Sequence, residues 1–88
     1  MSATVRGGSR FRIRPDPAVA GQPLEVTYIG PAKEVEYQVD DGESVKVEPD
    51  KNGKFTIDPV PSGDEIVLWD GLGLPGYLHA EIVNLVGR

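Results

Sequence analysis

A chain of 88 residues and 9.5 kDa is long enough for one small domain and buries only about 60 to 65% of its unfolded surface, so its core is thin. With 39% apolar residues, 11 Gly and 8 Pro, the composition excludes a disordered chain and a helical bundle and favours short strands joined by tight turns. The lack of Cys excludes disulfides and thiolate metal sites, and the net charge of −5 conceals a basic N-terminus: residues 1–14 hold four Arg and no acid, whereas residues 15–88 hold 5 basic and 14 acidic groups, net −9.

The chain opens without the apolar run of about 7 to 15 residues that a secretory signal needs, and no stretch approaches the roughly 20 apolar residues of a membrane span. If residue 1 is the natural start, the expectation is a soluble product without membrane contact that stays in the cytoplasm of the producing cell, unless it leaves by lysis or inside a larger assembly. A module excised from a secreted protein would instead be extracellular. Residues 1–9 read as a flexible basic arm carrying Arg6, ahead of a single domain over residues 10–88. In "RFRIR" Phe11 and Ile13 share one face while Arg10, Arg12 and Arg14 share the other, and Pro15 and Pro17 end the strand. "PLEVTYI" follows the turn Ala20-Gly21-Gln22 and aligns Leu24, Val26 and Tyr28 before Gly30-Pro31 breaks the chain.

Next comes "VEYQVDDGESVKVEPDKNGKF", residues 35 to 55, where register decides the turn. A three-residue loop Asp40-Asp41-Gly42, with Gly42 left-handed, pairs Tyr37 with Val45, Val35 with Val47 and Glu36 with Lys46, making both faces consistent. A two-residue loop would mix apolar and polar residues on one face. The same arithmetic at Asp50-Lys51-Asn52-Gly53 sets Val47 opposite Phe55 and Val45 opposite Ile57. A calcium loop opening at Asp50 would need Gly where Phe55 stands and Glu where Pro61 stands; Asp40, Asp41, Glu43 and Asp50 read as turn residues and not as metal ligands, with a non-EF calcium cluster of the same four as the alternative.

"IVLWD" has four apolar residues in a row and suggests a central strand covered on both faces or a strand closing one end. "LHAEIVNLV" alternates, with Ala80 and Ile82 inward and His79 and Glu81 outward. About seven short strands with turns between them predict an all-β, antiparallel β-sandwich. The run "AGQPLEVTY", "VEYQVDDGESVKV", "GKFTI", "VPSGDEIVLWD" resembles the bacterial and phage immunoglobulin-like modules over roughly residues 11 to 85. It departs from the antibody type in lacking both Cys and in its last loop, "DGLGLPGY". The resemblance implies an immunoglobulin-like fold and a module that binds, spaces or decorates.

Catalysis has little to work with: one His, His79, on an outer face, and four Ser, with Ser2, Ser9 and Ser62 beside turns or in the arm. Gly71, Gly73 and Gly76 lead into a strand and so offer no helix N-terminus to a phosphate. An acidic body argues against nucleic acid. No cofactor is expected. The informative segment is residues 69 to 78, "WDGLGLPGYL", whose Trp69, Leu72, Leu74 and Tyr77 are unusual in a Gly-rich loop; it either caps the core or is a contact tip. The expected function is a non-enzymatic accessory module of a phage-like assembly, a capsid decoration or tail-associated protein. Its protein partners would meet Arg6, Arg10, Arg12, Arg14, Trp69, Leu72, Leu74 and Tyr77. The alternative is a carbohydrate-binding or spacer module excised from a secreted bacterial protein, with Trp69 and Tyr77 set against a surface glycan in the carbohydrate-binding case.

Overall fold

The structure is a computed structural model that describes residues 10–72 and 78–84. Among the described residues there is no helix, and there are eight strands: β1 Phe11–Arg14, β2 Ala18–Val19, β3 Leu24–Tyr28, β4 Val35–Val39, β5 Val45–Val47, β6 Lys54–Ile57, β7 Glu65–Trp69 and β8 Leu78–Val83. They form two sheets, one ordered β1-β3-β6 and the other β2-β8-β7-β4-β5. All pairings are antiparallel except that of β2 with β8.

Alternation of side chains across each strand builds the core. Leu24, Val26 and Tyr28 of β3 are buried while Glu25 between them is exposed, and Ile66 and Leu68 of β7 are fully buried. These join Phe11, Ile57, Val35, Ala18 and Ile82 in one cluster drawn from both sheets. The two sheets thus share a core, an arrangement compatible with a β-sandwich. Each large apolar side chain buried there contributes roughly 1.5 to 3 kcal/mol.

The first hairpin has the expected register, with Val35 opposite Val47, Glu36 opposite Lys46 and Tyr37 opposite Val45. Its turn closes differently. Asp40, at φ 51°, is the left-handed residue and Gly42 is not, although the Gly42 N–H does bond the Val39 carbonyl at 2.9 Å. The reason lies across the sheet. The Asp40 carboxylate accepts the Asp64 and Glu65 N–H groups at 3.0 and 3.1 Å, while the Asp40 N–H donates to the Glu65 carbonyl at 3.1 Å. Asp is one of the few residues that enters this region at modest cost.

The second expected hairpin does not form. β6 pairs with β3 and not with β5, so Val26 faces Phe55 and Leu24 faces Ile57. The segment Glu48–Gly53 carries the chain from one sheet to the other. Asp50 shapes it by accepting the Asn52 and Lys54 N–H groups on Oδ1 at 2.8 and 2.9 Å. Those bonds hold the exposed Asp50 carboxyl below its usual pKa. β5 is therefore an edge strand, and Val45 is 42% exposed. Two further expectations change. β7 is central in its sheet but covered on one face only, since Val67 is half-buried and Trp69 exposed. The count is eight strands, because Ala18–Val19 forms a short parallel contact with β8.

Gly53 combines a positive φ of +80° with a close backbone approach: an added Cβ would collide with the Tyr28 carbonyl. At Gly42 φ is not positive, and a Cβ would lie 3.1 Å from the Val39 oxygen. Gly53→Ala should therefore cost roughly 1 to 3 kcal/mol, and Gly42→Ala distinctly less, when the two are compared by urea unfolding.

Candidate functional site

The outer face of the five-stranded sheet is built by the outward positions of β4, β5, β7 and β8. One cross-strand row sets Lys46, Glu36 and Trp69 side by side, and the next sets Gln38, Val67 and His79 side by side. Trp69 ends the central strand and is 42% exposed. A hollow of about 330 Å³, lined by Glu36, Tyr37, Gln38, Ser44, Val67 and Trp69, lies on one side of it. A smaller one of about 140 Å³, reached by Glu34, Lys46 and Gly71, lies on the other. The indole forms a ridge between two shallow depressions, with carboxylates and amides at its rim. Leu72, 43% exposed, follows a few residues on.

Directly after Trp69 the chain turns inward. Asp70 is the buried charged residue among the described positions, with its side chain fully shielded. Its Oδ2 accepts the Tyr28 hydroxyl at 2.9 Å and Arg10 Nη1 at 2.8 Å, and its Oδ1 accepts the Leu72 N–H at 3.2 Å. Burial pushes the Asp70 carboxyl up, but the bonds from Tyr28, Leu72 and Arg10 outweigh it and hold the pKa below the ordinary carboxylate value. Burial pushes the Tyr28 phenol up; the Ala32 N–H, donating to its oxygen at 3.1 Å, opposes this, and Asp70 adds to it. The Tyr28 ring packs on Phe11 with centroids 5.0 Å apart. Gly30 makes room: a Cβ there would strike the Tyr28 hydroxyl and stand 2.9 Å from Arg10 Cδ.

The sequence-predicted contact residues therefore separate. Arg10 bonds Asp70 inside its own chain, with its side chain only 25% exposed, so it is an anchor and not a free arm residue. Arg12 and Arg14 project from the three-stranded sheet, whereas Trp69 projects from the other. Arg6, Leu74 and Tyr77 lie outside the described residues. Glu36, Gln38, Lys46, Val67 and His79 share the outer face with Trp69 and were not expected at a contact; strand alternation, carried across the register, would have brought them together. His79 Nε2 bonds Glu65 Oε1 at 2.8 Å, with both side chains about half exposed. A cleft of about 530 Å³ between residues 32–33 and the crossing at residues 48–53 is open and polar.

No family model matches this chain, and no curated protein or solved structure matches it.

Asp70→Asn should lower stability by roughly 2 to 3 kcal/mol at neutral pH, because it leaves the Arg10 guanidinium without its charge partner and Tyr28 with a weaker acceptor. The depressed carboxyl contributes stability that is complete above the unfolded value of about 3.9 and is lost as pH falls through the lower folded value. Urea midpoints of wild type and Asp70→Asn should therefore converge in that acid range, and only there.

Proposed function

We propose that this chain is a non-enzymatic binding module of immunoglobulin-like architecture, an accessory protein of a phage-like assembly. It docks on a protein subunit through the outer face of the five-stranded sheet. The observation that carries this is Trp69, exposed at the end of the central strand with Val67 and Leu72 near it. Trp is the residue most enriched at the energetic centre of protein interfaces, where truncation costs 2 kcal/mol or more. A monomer gains nothing by leaving an indole in water when its neighbours Ile66 and Leu68 are fully buried.

The immunoglobulin-like reading is supported by the strand order. The sheet of β1, β3 and β6 parallels the first, second and fifth strands of that fold. In the other sheet β4, β7 and β8 parallel its third, sixth and seventh, with β5 as the extra edge strand of the variable type. The motif resemblance to bacterial and phage modules supports the accessory role, and a virion or the cytoplasm of the producing cell as its location. A non-catalytic reading is supported by Asp70, the buried carboxylate among the described residues, which is engaged by three structural donors.

A second reading, carbohydrate binding, draws on the 330 Å³ hollow beside Trp69, where Glu36, Gln38 and Ser44 offer polar contacts to a ring stacked on the indole. The chain's single Trp makes its fluorescence a direct reporter of this face. Purified particles from the producing system should shift its emission to the blue and co-sediment with the wild-type chain but not with Trp69→Ala. Neutral oligosaccharides should leave the emission unchanged. A sugar-induced shift without particle binding would transfer the assignment to the second reading, and equal co-sedimentation of Trp69→Ala would remove Trp69 from the contact.

A further inference from the structure

We infer that the Trp69 face also receives a second copy of this chain, whose three-stranded sheet docks head to tail upon it. This inference rests on the reading of that face as a protein contact and names one partner for it. The outward positions of β1, β3 and β6 form two cross-strand rows, Arg12-Thr27-Lys54 and Arg14-Glu25-Thr56. They carry three cations and one acid, and no apolar residue. Among the described residues no carboxylate lies within ion-pairing distance of Arg12 or Arg14.

The opposite face has the complementary chemistry. Its outward charges are Glu36, Glu65 and Glu81 against Lys46, and β7 and β8 place Glu65 directly opposite Glu81. Like charges facing one another across a sheet are destabilising. His79 bonds Glu65, but no described group neutralises Glu81. A guanidinium laid over that pair would relieve the repulsion through bidentate bonds, and a second one reaches the exposed face of Trp69 for a cation–π contact. Because the two surfaces belong to different sheets on either side of the core, the contact is heterologous and does not close on itself. It generates a row of copies.

The size of the patch sets the strength. Three strands about 4.8 Å apart present an area well below the roughly 800 Å² per partner of a stable complex. Association in free solution is therefore weak and salt-dependent.

Sedimentation velocity of the full chain tests this. At low salt, species larger than the monomer should grow up to about 1 mM protein, the weak end of measurable association, and vanish near 1 M salt, where screening extends to about 3 Å. Arg12→Thr/Arg14→Thr should weaken self-association at least about tenfold. Glu81→Arg should do the same while leaving the melting temperature equal or higher, since it turns the repulsion with Glu65 into attraction. Mixing the two variants should restore a complex that stops at two chains, because each supplies the face the other lacks. A monomer at about 1 mM in low salt, or association that neither variant alters, would overturn the inference. So would a mixture that stays monomeric. Particle co-sedimentation that depends on Trp69 would leave the docking reading standing in each of those cases.

Discussion

One buried carboxylate holds together parts of the chain that sequence separation keeps apart. Asp70 takes a proton donor from Arg10 at the root of β1, from Tyr28 at the end of β3 and from its own Leu72 amide. It thereby ties the two sheets at one end of a core too thin to order that end by apolar burial alone. An unpaired carboxylate buried there would cost several kcal/mol, so the site is stable only with its three donors in place. Gly30 follows from the same constraint, since any side chain would displace Tyr28 or Arg10. The exposure of Trp69 follows too: its neighbour in the chain turns into the core, so strand alternation turns the indole outward.

Much of this architecture was legible in the chain. Alternation correctly assigned Leu24, Val26 and Tyr28 to the interior and His79 and Glu81 to the surface, because a one-residue slip would have reversed every side chain. It also found the register of β4 against β5. It could not choose the partner of β6, since a period of two fits Val45 and Val47 as well as Leu24 and Val26; the choice belongs to the crossing at Glu48–Pro49 and to the demand of buried β3 for a neighbour on each side. The left-handed residue of the hairpin was misplaced onto Gly42 because the bonds that hold Asp40 come from Asp64 and Glu65, more than 20 positions away. Ala18–Val19 was too short for any periodicity to show.

The candidate site was half legible. Trp69 and Leu72 stood out as apolar residues in a turn-rich segment, but the rim of Glu36, Gln38, Lys46 and Val67 appears only once β4, β5 and β7 are placed side by side. The four arginines near the N-terminus looked like one basic element, and the fold divides them. Arg10 turns inward to Asp70, while Arg12 and Arg14 stay outward on the sheet opposite Trp69. The charge asymmetry of the chain becomes an asymmetry between two surfaces, one cationic and polar, the other acidic with an aromatic ridge.

The central claim is that these two surfaces are contacts and that the Asp70 anchor beneath them is structural. Backbone amide shifts of the isotope-labelled chain, followed by NMR through a dilution series at low salt, address it residue by residue. The account predicts concentration-dependent shifts in two separate patches at once, around Arg12, Arg14 and Lys54 and around Val67, Trp69 and Glu81, with Ile66, Leu68 and Asp70 unmoved. Shifts confined to one patch, or centred on Asp70 and Tyr28, would contradict it.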